Sequence, residues 1–222
     1  MKLEIKNIHK KYGKKLPLRG IDLTFEGAGC IGILGKNGSG KSTLLSILAG
    51  VQKCDKGEFL LDGRDLFSDN KALSDIVGYV PQGTPLLDEL SARDNLLLWY
   101  DKRSLEEELR DGVLSMLGIC EFIDLPVYKM SGGMKKRLSI GCSVAKHPNV
   151  LLLDEPCAAL DLVCKQSIAE YLNRFKKNGG ILILTTHDQS ELMLCDRLYI
   201  LKEGRLIPFE YDGDVERLAR ML

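Results

Sequence analysis

The sequence has no excess of either charge: 31 Lys and Arg offset 31 Asp and Glu, a formal net charge of zero over 222 residues. Nucleic-acid-binding domains usually carry a basic surplus, so no nucleic-acid partner is expected. Long apolar stretches are also missing. The longest uninterrupted run is Leu96 to Tyr100, far short of the roughly 20 residues a membrane helix needs. The start, MKLEIKNIHK, has no apolar signal core, so the chain is not expected to span a bilayer. None of the seven cysteines (Cys30, Cys54, Cys120, Cys142, Cys157, Cys164 and Cys195) forms a C-x-x-C pair, which leaves no zinc-knuckle or thioredoxin signature. Their odd number points to a reducing compartment, with each read as a small hydrophobe in or near the core. Internal repeats, low-complexity tracts and linkers are absent as well.

What is present is ordinary for a globular protein, at 45% hydrophobic and 28% charged residues. A chain of this length buries roughly 70–75% of its unfolded surface, so folding needs neither metal nor disulfide. Lys2 to Ile8, Ile21 to Phe25 and Glu58 to Leu61 alternate polar and apolar residues, the two-residue period of half-buried strands. Cys30 to Leu34, Val150 to Leu153 and Ile181 to Leu184 are short apolar runs of the kind found in buried parallel strands. Helices are expected over Lys41 to Ala49, through much of Pro85 to Ala145, and over Leu162 to Lys176, where Asn178-Gly179-Gly180 supplies the stop. Ser91 with Asp94 reads as a capping box, Trp99 as core of the helical part, and Val215, Leu218, Ala219 and Leu222 as a short docked helix. Strand–helix–strand alternation implies a parallel sheet covered by helices.

Three segments carry chemistry. Gly35-Lys36-Asn37-Gly38-Ser39-Gly40-Lys41-Ser42 fits G-x-x-x-x-G-K-[ST], between a buried strand and a helix. Glycines let the backbone curl with its N–H groups turned inward as an anion nest. The helix start adds its dipole and free N–H groups. Lys41 supplies a point charge for the outer phosphates, and Ser42 a hydroxyl for Mg²⁺. Second, the run ending in Asp154-Glu155 puts two acids at the carboxyl edge of the sheet, where open α/β sheets bind ligands. Asp154 suits a water-bridged metal, and Glu155 suits polarising an attacking water. Third, Ser131-Gly132-Gly133 opens another helix and so offers a second anion-binding N-terminus. Each has a plainer alternative: a chance match, an apolar run that happens to end in an acid, and an ordinary loop and cap.

In this order the motifs resemble the ATP-binding subunit of an ABC transporter, over about residues 2–206. The resemblance implies an α/β fold: a P-loop NTPase with a RecA-like parallel core, an N-terminal antiparallel β subdomain and a helical signature subdomain. The expected division is about residues 1–84 and 146–222 for core plus β subdomain, and about 85–145 for the helical subdomain. It implies that Tyr12 stacks on adenine, that Gly35 to Ser42 with Thr43 binds ATP, and that Gln82 is the Q-loop glutamine, reaching metal and water. Ser131, Gly132 and Gly133 are then the signature acting in trans, and Asp161 belongs to the D-loop. Asp154, Ser42 and Gln82 would hold Mg²⁺, while Glu155, His187 and Gln82 would be catalytic. The implied partners are ATP, a second such subunit (identical or similar) paired head to tail, and an integral membrane permease docking near Gln82 to Tyr100. The implied location is the cytoplasmic face of the cell membrane.

Three positions depart from the family pattern. Met130 replaces leucine, Met134 replaces the signature glutamine and cannot make its hydrogen bonds, and Cys157 lies in a Pro156-Cys157-Ala158-Ala159 run near the expected dimer interface. Tyr12 has a plainer, secondary reading as an exposed strand-end tyrosine, and His187 one as a helix cap. The run Leu90 to Leu96 resembles small export pumps, which leans the reading to export. The alternative is a soluble ABC ATPase of iron–sulfur cluster assembly or DNA repair. Against repair stand the zero net charge and the lack of a coiled-coil or zinc insertion. A nucleotide-binding regulator without turnover conflicts with Glu155 and His187. With the chain ending soon after the core, no large regulatory domain is expected.

Overall fold

The computed structural model describes residues 1–221. Two long antiparallel strands, β1 (Lys2–Tyr12) and β2 (Lys15–Glu26), lead into the buried strand β3 (Gly29–Leu34) and helix α1 (Lys41–Leu48). Strands β4 (Lys56–Leu61) and β5 (Arg64–Asp65), helix α2 (Asn70–Ile76) and strand β6 (Val77–Val80) follow. Next come α3 (Ala92–Leu96), α4 (Lys102–Asp111), α5 (Val113–Met116) and α6 (Gly132–Ser143), with two 3-10 turns before α6. The chain then alternates through β7 (Val150–Asp154), α7 (Leu162–Lys177), β8 (Ile181–Thr185), α8 (Gln189–Leu192), β9 (Arg197–Lys202), β10 (Arg205–Phe209) and α9 (Val215–Met221).

Two sheets form. One has strand order β2-β1-β4-β5 and is antiparallel; the other has order β10-β9-β3-β8-β7-β6 and is parallel except for the β9–β10 edge pair. Every residue of β3, β7 and β8 is buried, because both faces of the parallel sheet are covered. Alternate side chains of β7 enter different cores. Val150 and Leu152 join a cluster with α1 and the antiparallel sheet. Leu151 and Leu153 join one with α3, α5, α6 and α7. The expected P-loop NTPase architecture is therefore the observed one, with the glycine loop, Asp154 and Thr185 together at the carboxyl edge of the central strands.

The Ser91 capping box forms as expected, but Trp99 corrects the reading made from its apolar neighbours. It is 60% exposed. The α3 helix ends at Leu96, and only Leu96 and Tyr100 turn inward; Leu97, Leu98 and Trp99 face out. Leu218 of α9 is buried with Leu34, Leu198 and Phe209. Leu222, and the side chains of Val215 and Ala219, lie outside the described residues. Among the described residues no helix is long and apolar enough to cross a membrane.

Candidate active site

Strand β3 delivers the chain at Gly35 into a loop that ends at Gly40, the residue preceding α1. Gly40 has φ +110°, a conformation side chains strain against, and a Cβ there would stand in tight contact 3.0 Å from the Pro17 carbonyl oxygen. Only glycine fits this left-handed position. A glycine cap has no side chain to offer, and the first turn of α1 contains no acid. The opening N–H groups of α1 are thus left for an anion. The buried Ser39 hydroxyl in the same loop has no hydrogen-bond partner among the described residues.

Lys41 is 6% exposed. Its ammonium folds back to donate to the carbonyls of Gly35 at 2.6 Å and Lys36 at 3.4 Å, and stands 3.3 Å from Nε2 of His187. Burial holds the Lys41 pKa down, and Glu155 and Asp154 pull it back up. His187, just past β8, has its pKa lowered by burial first and by the Lys41 charge second.

Asp154 ends β7 at 2% exposure. Its Oδ1 accepts from the Thr185 hydroxyl at 2.6 Å. That hydroxyl in turn accepts from the Glu155 N–H at 3.1 Å, and the Thr185 carbonyl lies 3.2 Å from the same N–H. Glu155 takes a left-handed conformation, φ +48°, which turns its carboxylate toward the loop. There it accepts from Gln82 Nε2 at 3.1 Å and lies 3.9 Å from His187 Nε2. A cleft of about 340 Å³ is lined by Asn37, Gly38, Gly40, Lys41, Ser42, Thr43, Gln82 and Glu155.

The fold therefore gathers the glycine loop, Gln82, Asp154, Glu155 and His187 into one site. Other expected residues stand apart from it. Tyr12 is 44% exposed at the end of β1, hydrogen-bonded through its hydroxyl to Gln52. Ser131 and Gly132 are exposed and do not line the cleft. Ser131 is the N-cap of α6, its hydroxyl accepting from the Met134 N–H at 3.2 Å. Gly133 is packed beneath Cys164 of α7. Asp161 caps α7, accepting from the Cys164 N–H at 2.9 Å, a bond that lowers its pKa. Met134 packs against the apolar core of the helical part, which accounts for a methionine at that position. Cys157 is also interior, 3% exposed, and burial pushes its thiol well above the usual range.

Two residues of the site escape a reading of the sequence alone. Thr185 ties β8 to both acids, yet it looks like one more strand residue. Lys136, in the basic run after Gly133, is buried, donating to the carbonyls of Pro81 at 3.0 Å and Gln82 at 3.2 Å. Lysine is seldom buried, and no local pattern signals it.

The donor set of Ser42, Gln82 and Asp154 is all oxygen, as a hard divalent cation prefers. Among the described residues no cluster of three or more His, Cys, Asp or Glu could hold a metal by itself. A Mg²⁺ site shared with substrate phosphates needs no such cluster.

The family model described as ABC transporter matches residues 18–158. The linearmycin resistance ATP-binding protein LnrL of Bacillus subtilis is 33% identical over 92% of the chain and 68% of its own length. The Nod factor export ATP-binding protein I of Sinorhizobium fredii is 34% identical over 92% and 61%. The spermidine/putrescine import ATP-binding protein PotA of Mesoplasma florum is 35% identical over 92% and 60%. The chain thus spans roughly two thirds of the length of such relatives. A nucleotide-free ATP-binding cassette superposes with TM-score 0.85 at 22% identity, covering 99% of this chain and 96% of that one. A dimeric cassette in a post-hydrolysis state with ADP and Pi superposes at 0.81 and 26%, covering 96% and 100%. The glycine loop, Gln82 and Glu155 line one cleft, with Asp154 at the end of β7 and His187 beyond β8 beside it, in a fold shared with these cassettes, and the chain belongs to the ABC transporter family as an ATP-binding subunit and ATPase.

Proposed function

We propose that this subunit hydrolyses ATP in a Mg²⁺-dependent reaction to power a separately encoded membrane permease. The carrying observation is the single cleft that holds Lys41, Ser42, Gln82 and Glu155 together. The loop N–H groups and the α1 N-terminus bind the phosphates, with Lys41 released from Gly35 to meet the outer ones. Ser42, Gln82 and Asp154 would hold Mg²⁺, which would supply neutralising charge for the phosphates. Glu155 accepts the proton of the attacking water, and Gln82 orients that carboxylate. His187 contacts the γ-phosphate. Tyr12 supplies a ring for adenine.

Ser131, Gly132 and Gly133 lie outside the cleft of their own chain, as residues that complete a partner's site would. The subunit accordingly works as a head-to-tail pair, a reading supported by the dimeric cassette it resembles. Residues 85–145 act as a lobe turning against 1–84 and 146–222. Leu87, Leu98, Trp99 and Tyr128, each more than half exposed, give that lobe an apolar surface for the permease. Such a subunit would work on the cytoplasmic face of a membrane. The direction leans to export on the Leu90–Leu96 run and a relative named for export, while a relative named for import is as similar. The test is phosphate release by the purified chain with Mg²⁺, with EDTA, and in the Glu155→Gln variant. Turnover that survives EDTA or the loss of Glu155 refutes the mechanism.

A further inference from the structure

Helix α6 is fastened along the segment that carries Gln82. At its far end the Ser143 hydroxyl donates to the Tyr79 carbonyl at 2.8 Å. Near its start Lys136 donates to the carbonyls of Pro81 at 3.0 Å and Gln82 at 3.2 Å. Lys136 is 5% exposed and makes no ion pair within 4 Å among the described residues. An ammonium buried on two carbonyls is costly where an apolar side chain would pack at less cost. Burial pulls its pKa down, and the nearby Asp154, Cys157, Glu191 and Glu155 act against that. The backbone it grips belongs to the residue whose amide meets Glu155 at 3.1 Å. A continuous line of contacts therefore runs from the helix opened by Ser131, through Lys136 and Gln82, to Glu155.

We propose that Lys136 is a positioning residue for hydrolysis. It holds Gln82 against Glu155 and makes that contact depend on where the helix behind Ser131–Gly133 stands. Lys136 itself touches no reacting atom. The inference rests on the roles given above to Gln82 and Glu155.

A double-mutant cycle tests it, because residues that act through one another are non-additive and independent ones add. The chain is assayed as Lys136→Met, Gln82→Ala and the double variant, with kcat, KM and ATP Kd measured alongside thermal melting. Lys136→Met is expected to lower kcat about tenfold while KM and Kd stay within about threefold, the pattern of an interaction made at the chemical step. In the Gln82→Ala background the same change should cost less than about threefold in kcat. Lys136→Arg, which keeps donors and charge, should recover most of the loss. If Lys136→Met does not fold, Lys136→Gln takes its place in the cycle. Equal losses in both backgrounds, or a loss confined to Kd, overturn the proposal. So does an unchanged kcat for Lys136→Met beside a reduced one for Gln82→Ala. If Gln82→Ala itself leaves kcat at the parent value, the role of Gln82 has failed, and the positioning role falls with it.

Discussion

The Lys41 ammonium stands 3.3 Å from Nε2 of His187. An ammonium has only protons to give, so Nε2 must accept and the imidazole is neutral, with its proton on Nδ1. Lys41 is thus turned back on its own loop and on His187, and a bound phosphate would offer its ammonium better acceptors.

The first expectation concerns that histidine. Its pKa lies below the ordinary 6.5, through burial and then Lys41. NMR titration should show it there, and Lys41→Met should move it part of the way back, since burial remains. Between 6.5 and the folded value the unfolded chain binds more protons than the folded one. Stability should therefore fall as pH drops through that window and be unaffected above it. His187→Asn should remove this slope. A His187 pKa that does not move in Lys41→Met refutes the contact.

Glu155→Gln should leave ATP affinity unchanged within about threefold and lower turnover by roughly 10²–10⁴-fold, the usual worth of a positioned base. An ATP-bound dimer should then accumulate on gel filtration. A variant that binds ATP and stays monomeric contradicts the head-to-tail pair.

Lys41→Ala removes the cation while Asp154 and Glu155 remain close enough to influence its pKa. ATP binding should weaken sharply by calorimetry. Adenosine, which has no phosphate, should bind no differently.

Gly133→Ala sets two effects against each other. Alanine is favoured in a helix over glycine by about 1 kcal/mol, but the new methyl would overlap Cys164 Sγ and lie 3.2 Å from its Cβ. Overpacking typically costs about 1–3 kcal/mol, so the variant should unfold at lower denaturant. In a Cys164→Ala background the sulfur is gone and the penalty should largely vanish. Persistence of the full penalty there would mean that Cys164 is not the obstacle.

Leu87→Ser should weaken capture of the permease with little change in melting temperature. The Leu87 side chain is 53% exposed. Its backbone is fixed independently by buried Asn95, which accepts from the Leu87 N–H at 2.8 Å and donates to its carbonyl at 3.1 Å. A core leucine would instead lower stability, by roughly 2–5 kcal/mol on truncation to alanine. A large drop in melting temperature with unchanged capture would count against a docking role.

Local chemistry alone determined much of this protein. The glycine loop, the Ser91 box, the stop after α7 and the buried strands are legible because each depends on residues a few positions apart: a backbone that only glycine allows, a side chain that reaches its own helix start, a period that matches a sheet. The order of those segments was enough to indicate the family. Depth and direction were left to the tertiary structure. Leu86 packs inward while Leu87 faces out, Trp99 is exposed after three leucines, and Lys136 is buried within a basic run. Thr185 differs from its strand neighbours only because β7 ends with Asp154 and Glu155 beside it. Which side of a short helix is covered, and which carbonyl a lysine meets, depend on elements far away in the chain, and burial is a property of the surroundings rather than of the residue.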